Sequence, residues 1–391
     1  MELLMKRTAQ YFLLLILLFV LSSCSNKFKM PRESIEESSE WPFYKYNIAS
    51  GGARTGTFSG KLDVVWENSF RNKPSGPLTI SKGYLIYPGS KRKIEIFEAA
   101  TGLSRGYVRS KRHPQSGMII KDSLGFFFEA PRLSRLRCQN LLNKKKIWDR
   151  KIKDVTAGLI VVDSFLIVSS SEGTIYALDI NTGETGWEYH SETRLAAPPS
   201  SNGDLIVQAT DGGQLLALDA SDGEEVFVTE LEAPVLGAAA IDDKIYLADY
   251  SGNVYALELD SGEVVWKNKL DAKFWAAPTL AGGLLYVGST DGKFYALNTD
   301  NGEIVWEFTP GDVIRSSAIV VGDYVLFGTM SGILYCLRAE DGLISARREL
   351  AGAILFSPVS DGRHIFVATA KGELLCLGSN SSSSLETASI K

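Results

Sequence analysis

The chain has 391 residues, 45% of them hydrophobic, and a formal net charge of −5 at pH 7. It contains only three histidines and four cysteines, and none of them stands at metal-ligand spacing from another, which argues against a zinc-type metal centre. Length alone would allow two or three domains, so the division of the chain must be read from its internal pattern.

The first 24 residues have the pattern of an export signal that ends at a cysteine. Lys6 and Arg7 precede an apolar run of eleven residues, Tyr11 to Leu21, which is too short to cross a bilayer as a helix. The sequence Leu21-Ser22-Ser23-Cys24 resembles the lipobox of bacterial lipoproteins. This resemblance implies that residues 1–23 are removed as a signal peptide and that Cys24 carries acyl chains such as palmitate. The alternative is an ordinary secretory signal with an incidental cysteine.

The residue after the cysteine bears on localisation. In lipoproteins of this class, Asp at that position commonly directs retention in the inner membrane, and this chain has Ser25. The resemblance therefore implies a protein that is lipid-anchored in the outer membrane and faces the periplasm. Each buried methylene of an acyl chain contributes roughly 0.8 kcal/mol to such anchoring. Export also argues against a nucleic-acid partner.

Residues 24–40 are predicted to form a flexible tether. Glutamates and serines dominate the segment, which cannot bury a core. A folded region is predicted from residue 41 onwards. Its first clear strand, Val64-Val65-Trp66, reads as the last strand of a unit whose first three strands are missing.

A repeat of about 40 residues follows and accounts for most of the chain. Its least altered copy, Ala281 to Trp306, reads as three short strands separated by turns at Gly292 and Gly302. Turn glycines recur at 40-residue or 39-residue steps, namely Gly173, Gly213, Gly252, Gly292, Gly332 and Gly372. A period near 40 with about four strands per unit is typical of a β-propeller.

The repeat predicts an all-β fold, an eight-bladed β-propeller of four-stranded antiparallel blades. Seven units are predicted to end at Tyr107, Trp148, Trp187, Phe227, Trp266, Trp306 and about Ala346. Near the C-terminus, three strands from about Phe356 lack a closing strand. The N-terminal strand at Trp66 is predicted to complete this eighth blade and close the ring. Residues 41–378 then form one domain, and 379–391 are predicted to be a disordered tail.

The repeat resembles that of the quinoprotein-like (PQQ-repeat) β-propeller family. The residues that carry the resemblance are Ala177-Leu178-Asp179, Thr182-Gly183 and Trp187, with copies in the following units. In that family the Trp packs against the neighbouring blade, so the resemblance implies a structural role for the aromatic series. The segment from Trp41 and the sequence Arg54-Thr55-Gly56 also resemble the lead-in of such propellers.

Three cysteines share the repeat position that alanine holds in other units. They are Cys138, Cys336 and Cys376, and the position favours a small buried side chain. Equivalent positions in neighbouring blades are expected to lie too far apart for a disulfide, so none is predicted.

No catalytic, cofactor-binding or metal-binding residue is predicted. Quinoprotein dehydrogenases of the resembled family place a cofactor on the ring axis beside calcium and carry an adjacent pair of cysteines. This chain has no adjacent cysteines, no nucleophile elbow and no phosphate loop. We therefore predict that it is not an enzyme and binds no cofactor, and a quinoprotein-type dehydrogenase remains the less favoured alternative.

One segment departs from the repeat in its charge. Between Arg105 and Lys153 there are fourteen Lys or Arg residues and three acids, a net charge of +11 in a chain whose total is −5. Lys144, Lys145 and Lys146 replace the usual turn glycine. The segment can be a solvated face on divergent blades, or a docking surface for an acidic partner or anionic lipid headgroups.

The lipobox and the propeller together resemble the family of outer-membrane assembly lipoproteins. The resemblance implies a non-enzymatic scaffold of the machinery that inserts β-barrel proteins, docked on the periplasmic domains of the barrel subunit. Its partners would be subunits of that complex, with unfolded barrel precursors as clients. Arg194 and Leu195 lie in a loop that contacts the barrel subunit in such proteins. The alternative is another surface or periplasmic propeller lipoprotein that binds protein or glycan.

Overall fold

The computed structural model describes residues 28–31 and 53–379, except Thr55, Asn72, Ser90, Gln115, Pro131, Arg132 and Ala196. The predicted signal peptide, Cys24 and most of the predicted tether lie outside the described residues. So do the segment that begins at Trp41 and residues 380–391 of the predicted tail.

The described residues form strands and connections without a helix. Two strands, β1 (Ala53–Arg54) and β2 (Asp63–Ser69), precede the first complete blade. Blade 1 contains β3 (Thr79–Ser81), β4 (Tyr84–Gly89), β5 (Lys93–Glu98) and β6 (Ser104–Arg109). Blade 2 contains β7 (His113–Pro114), β8 (Ile119–Lys121), β9 (Leu124–Ala130), β10 (Leu133–Asn140) and β11 (Lys146–Lys153). In blade 2 the short β7 and β8 both pair with β9.

Blades 3 to 5 follow the repeat closely. Blade 3 contains β12 (Val155–Val162), β13 (Phe165–Ser170), β14 (Thr174–Asp179) and β15 (Thr185–His190). Blade 4 contains β16 (Ser200–Ser201), β17 (Leu205–Ala209), β18 (Gln214–Asp219) and β19 (Glu225–Glu230). Blade 5 contains β20 (Ala240–Ile241), β21 (Lys244–Ala248), β22 (Asn253–Glu258) and β23 (Val264–Lys269).

Blades 6 to 8 complete the ring. Blade 6 contains β24 (Thr279–Ala281), β25 (Leu284–Gly288), β26 (Phe294–Asn298) and β27 (Ile304–Phe308). Blade 7 contains β28 (Ile319–Val321), β29 (Tyr324–Gly328), β30 (Ile333–Arg338) and β31 (Ile344–Glu349). Blade 8 contains β32 (Val359–Ser360), β33 (Ile365–Ala368), β34 (Glu373–Gly378) and the N-terminal β2.

The pairing of β2 with β34 confirms the predicted closure of the ring. The two strands run antiparallel, with Asp63 opposite Gly378 and Trp66 opposite Cys376. The predicted eight four-stranded antiparallel blades are therefore present, and the eighth is built from both ends of the described chain. This arrangement leaves no unpaired seam between the first and last blades.

The short strand β1 was not predicted. It pairs in parallel with β28, with Ala53 opposite Val320, and extends blade 7 to five strands on its inner side. A two-residue strand carries no alternation of apolar and polar residues, so the sequence offers no signal for it.

Burial within a blade falls from the inner strands to the outermost one. In blade 6, β25 and β26 are almost fully buried, whereas β27 buries only Trp306 among its five residues. The apolar clusters are shared between neighbouring blades. One of them joins Phe126 and Trp148 of blade 2 to Val161 and Leu178 of blade 3. Packing between blades therefore holds the ring together.

The connections alternate between two faces because successive strands of a blade run antiparallel. The loop face carries the connections between blades, such as 191–199 and 270–278, and the hairpins between second and third strands. The turn face carries the other two hairpins of each blade, such as 202–204 and 220–224 of blade 4, which are joined by the hydrogen bond from Ala220 N to Asp204 O at 2.8 Å.

Candidate interaction surfaces

Blade interfaces are built around an aromatic residue on each outermost strand. The indole N–H of Trp187 donates to the carbonyl of Ala220 in the next blade at 3.1 Å. The same bond recurs from Trp66, Trp148, Trp266 and Trp306 to Ala99, Ile180, Thr299 and Ala339, at 2.8–2.9 Å. These contacts place the tryptophans in the packing between blades that the motif predicts.

The aromatic ring lies on a turn glycine of the following blade. A Cβ added to Gly223 would stand 2.4 Å from Trp187, and Gly223 has a φ of +78°. Five further pairs repeat the contact, namely Gly102 with Trp66, Gly183 with Trp148, Gly262 with Phe227, Gly302 with Trp266 and Gly342 with Trp306. The glycine is therefore needed for its conformation and also for close approach of the ring. The second requirement was not evident from the sequence, because ring and glycine are about 35 residues apart.

Two of the eight outermost strands lack the docking aromatic. In blade 7 the position belongs to Ala346, opposite Cys336, as predicted. In blade 1 it belongs to Gly106, opposite Ile96, and Tyr107 lies one residue beyond it, opposite Glu95. The prediction that Tyr107 closes blade 1 was wrong by one residue. Its ring instead lies under the Lys93 ammonium, which is 4.3 Å from the ring centroid.

Residues 28–31 fill the interface that Gly106 leaves without an aromatic. Met30 N donates to the carbonyl of Leu141 at 2.9 Å, and Phe28 N donates to the carbonyl of Tyr107 at 2.9 Å. In other blades the indole N–H donates to the carbonyl of the residue three positions before the turn glycine. Leu141 holds the equivalent position in blade 2, three residues before Lys144. Phe28 and Met30 are 3% and 1% exposed and pack between blades 1 and 2. These residues fall within the predicted tether, and their burial corrects that prediction for this part of it.

A second N-terminal segment, residues 56–62, fills the interface beside Ala346. Phe58 and Leu62 are buried in the cluster shared by blades 7 and 8. The Ser345 hydroxyl donates to the carbonyl of Gly60 at 3.2 Å, and Arg348 Nη1 donates to the carbonyl of Leu62 at 2.9 Å. The two interfaces without a docking aromatic are thus both sealed by chain that precedes the first complete blade.

Part of the charge in the basic segment 105–153 is neutralised within the fold. Arg137 pairs with the fully buried Glu129 at 3.2 Å, and Arg135 pairs with Asp149 at 2.6 Å. Burial alone would raise the pKa of Asp149, but the hydrogen bonds and charges of Arg135 and Lys146 together outweigh it and hold that pKa below its usual value. Two of the three acids in the segment are therefore used by arginines of the same blade.

The three consecutive lysines remain exposed on the turn face. Lys144 has a φ of +65° and stands four residues before Trp148, where other blades have the docking glycine. Lys144, Lys145 and Lys146 are all exposed. Lys146 Nζ lies 3.5 Å from Asp149 Oδ2, and no described carboxylate pairs with Lys144 or Lys145. The structure therefore presents a positively charged corner at the outer edge of blade 2.

The structure separates the two residues predicted at the docking loop. Arg194 lies on the loop face with a side chain that is 73% exposed, and its Nε is 3.7 Å from Asp211 Oδ2. Leu195 is 1% exposed, bridges to Thr210 and packs in the core of blades 3 and 4. Its side chain is therefore a packing group, and only Arg194 is presented at the surface. Arg194 and the lysine corner lie on opposite faces.

The loop face also carries an exposed aromatic and cationic group that was not predicted. Trp275 and Tyr250 are 42% and 40% exposed, and their ring centroids are 6.3 Å apart at an edge-on angle. The guanidinium of Arg315 lies 4.2 Å from the centroid of the Trp275 ring. Trp, Tyr and Arg are the residues enriched at energetic centres of protein interfaces. The group joins three separate inter-strand connections, so only the tertiary fold brings its members together.

The described residues contain no group of His, Cys, Asp and Glu side chains that would hold a metal ion. Cys138, Cys336 and Cys376 are free, fully buried thiols whose pKa values are raised to about 12 by burial. Each is paired with the closing position of its blade, as the repeat predicts. Within the described part of the chain, no helix is long and apolar enough to cross a membrane.

Comparison with known proteins identifies the family and the fold. The family model described as outer membrane protein assembly factor BamB matches residues 132–189, 171–245 and 236–389. BamB of Marinobacter adhaerens is 27% identical over 141 residues, which are 35% of this chain and 36% of that relative. The aligned stretch thus spans about a third of the relative's length.

Two solved structures share the architecture. The crystal structure of BamB from Moraxella catarrhalis matches with a TM-score of 0.72 and 19% identity, covering 81% of this chain and 100% of that one. A europium-containing methanol dehydrogenase matches with a TM-score of 0.74 and 12% identity, covering 89% and 100%. At these identities the likeness shows the fold alone.

Proposed function

This chain belongs to the family of outer membrane protein assembly factor BamB, and we propose that it is a non-enzymatic, lipid-anchored scaffold of outer-membrane β-barrel assembly. The observation that carries the proposal is the family match, which extends from residue 132 to residue 389. In this proposal the acylated Cys24 holds the protein at the outer membrane on the periplasmic side. The protein docks on the periplasmic domains of the barrel subunit and offers a surface to unfolded barrel precursors.

The loop face is the docking surface in this proposal. Arg194 projects from it, and Trp275, Tyr250 and Arg315 form a second exposed group on the same face. Arginine and large aromatic side chains supply much contact area for little conformational entropy, which suits a protein interface. Extended clients would add to the outermost strands of the blades, which pair with no further strand among the described residues.

Site-specific crosslinking in intact envelopes tests the docking. A photoreactive residue at Arg194 or at Trp275 is expected to capture a barrel-assembly subunit. The matched control is Asp222, which is exposed on the turn face of blade 4 and is expected to capture none. Recovery of other proteins from Arg194 and Trp275, without any barrel-assembly subunit, would favour the alternative of a propeller lipoprotein that binds protein or glycan.

The fold shared with a methanol dehydrogenase requires a separate test of enzymatic function. In the proposed scaffold the ring interior is structural, so adding quinone and calcium to the purified protein is expected to leave no bound-cofactor absorbance after gel filtration. A stoichiometric quinone band that survives gel filtration would instead support the dehydrogenase alternative.

A further inference from the structure

Docking of residues 28–31 limits how far Cys24 can lie from the body of the propeller. Phe28 and Met30 are held by backbone hydrogen bonds to Tyr107 and Leu141 on either side of the interface between blades 1 and 2. Only three residues separate Cys24 from Phe28. Four extended steps span at most about 14 Å, so an acyl chain on Cys24 would hold this edge of the ring close to the membrane surface.

The surface around residues 28–31 carries several exposed lysines. The segment lies against the turn of residues 140–143, with Lys29, Met30, Asn140 and Asn143 lining a groove. Lys29 is exposed beside this groove, and the exposed Lys144, Lys145 and Lys146 follow the turn directly. No carboxylate among the described residues forms an ion pair with Lys29, Lys144 or Lys145.

An exposed apolar side chain adjoins the lysines. Ile147 is 42% exposed and follows Lys146 at the start of β11. Cationic side chains next to an apolar one fit the boundary between headgroups and acyl chains. The rest of the chain is acidic, because the whole carries −5. An anionic surface therefore attracts this corner and repels most of the remaining surface.

We propose that the corner formed by Lys29, Lys144, Lys145 and Lys146 lies on the anionic headgroups of the membrane that holds the acylated Cys24. This inference rests on the lipid anchor of the proposed function and adds an orientation to it. The turn face at blades 1 and 2 meets the membrane, and the loop face with Arg194 points away from it. Anchor and docking surface then serve their two partners from opposite faces of one rigid ring.

Fluorophores attached to single cysteines test the orientation. Lys145→Cys labels the corner, and Glu303→Cys labels the same repeat position on blade 6, directly across the ring, because each stands three residues before its blade's tryptophan. The three described native thiols are fully buried and are not expected to react in the folded protein. The acylated full-length protein is inserted into vesicles of phosphatidylglycerol and phosphatidylethanolamine that carry a nitroxide lipid quencher.

The label at position 145 is expected to be quenched at least severalfold more than the label at 303. Raising the salt to about 1 M, where the Debye length falls to about 3 Å, is expected to reduce the difference. Each lysine near an anionic surface contributes about a fivefold preference, so Lys144→Gln with Lys146→Gln is expected to weaken it further. Equal quenching at both positions, or quenching that salt and these substitutions leave unchanged, would overturn the orientation.

Failure of the orientation can be distinguished from failure of the proposed function. Mass spectrometry of the N-terminal peptide reports acylation of Cys24 independently of quenching. If the protein is acylated but both labels are quenched equally, the proposed orientation is wrong and the lipid anchor is retained. Crosslinks from Arg194 then still report docking. A crosslink from position 145 to an acidic protein, with no lipid quenching, would assign the corner to that protein and overturn the membrane contact.

Discussion

Gly302 illustrates how a single residue serves two blades. Its φ of +72° suits the turn before β27, and its missing side chain leaves room for Trp266 of the preceding blade. A Cβ there would stand 2.4 Å from Trp266 Cε3. Because the indole is also held by its bond to Thr299 O at 2.8 Å, the ring cannot withdraw without losing that bond. Both backbone strain and crowding therefore oppose any other residue.

We expect Gly302→Ala to lower the free energy of unfolding by about 2–4 kcal/mol. The matched control is Gly282→Ala in the same blade. Gly282 has a φ of +58° but no atom within 4 Å of an added Cβ, so only backbone strain of about 1 kcal/mol is expected. Urea denaturation of the two variants measures the difference. Equal losses would mean that the tryptophan contact contributes nothing.

Asp361 is a residue whose protonation couples stability to pH. Its Oδ1 accepts hydrogen bonds from the backbone N–H groups of Arg363 and His364, and its Oδ2 lies 3.0 Å from His364 Nδ1. Burial alone would raise the pKa of Asp361, but these bonds outweigh burial and lower it. A carboxyl group whose pKa is lowered by folding stabilises the folded state at pH values above its pKa in the unfolded chain, about 3.9. This stabilisation is lost as the pH falls through its pKa in the folded protein.

Lowering the pH from about 6 to about 3 is therefore expected to destabilise the protein, with Asp361 contributing to the fall. The side-chain amide of the Asp361→Asn variant does not titrate in this range. The variant is expected to be less stable at pH 6 and to lose less stability on acidification than the wild type. Denaturant titrations at several pH values provide the measurement, and parallel acid profiles of the two proteins would contradict the assignment.

At the scale of elements, the ring uses inserted segments where its own repeat is defective. Blades 1 and 7 lack a docking aromatic because Gly106 and Ala346 hold that position. Residues 28–31 and 56–62 occupy the corresponding interfaces. Met30 N bonds Leu141 O as an indole N–H would. Every residue except proline has a backbone N–H for this bond, so the replacement demands only a short apolar segment of suitable shape.

Truncating the inserted side chain should loosen one blade interface. Met30→Ala is expected to lower local stability by about 2–4 kcal/mol, because Met30 is 1% exposed in the packing between blades 1 and 2. Lys29→Ala is the matched control, since Lys29 is exposed in the same segment. Hydrogen exchange is expected to quicken in β6 and β10 for Met30→Ala only. Unchanged exchange in both variants would contradict docking of the segment.

At the scale of the whole molecule, closure is the property that makes the ring a scaffold. Strand β2 completes blade 8, and Trp66 on that strand docks on Gly102 of blade 1. One strand thus closes both the eighth blade and the junction between blades 8 and 1. Loss of its partner β34 would expose apolar residues of the neighbouring strand β33, such as Ile365 and Val367, which are fully buried in the closed ring.

Two C-terminal truncations distinguish the contribution of β34 to stability from that of the residues after it. Ending the chain after Lys371 removes β34 and is expected to abolish cooperative thermal unfolding and to cause aggregation through the exposed edge. Ending it after Ser379 retains β34 and removes only residues 380–391. That variant is expected to keep the wild-type melting temperature by circular dichroism. A normal melting transition without β34 would show that closure by the two chain ends is dispensable.

The sequence by itself determined the repeat, the number of blades and the closing strand. Turn glycines and strand apolarity are local requirements that every blade must meet, so they recur with a fixed period at Gly292, Gly332 and Gly372. The sequence also predicts the shared position of Cys138, Cys336 and Cys376, because burial at that position restricts side-chain size. The family resemblance rested on these same local motifs.

Only the tertiary structure decided which segments meet between blades and which charges stay free. In blade 1 the strand register differs by one residue from the predicted one, so Gly106 and not Tyr107 stands at the docking position. Leu195 and Arg194 are neighbours in sequence, yet one is buried and the other exposed, because side chains alternate across an extended chain. Residues 28–31 lie within a polar stretch of sequence, and their docking depends on an interface formed about 80 to 110 residues later. Such contacts depend on how well a segment fits between two blades that are distant in sequence, and no local sequence pattern encodes that fit.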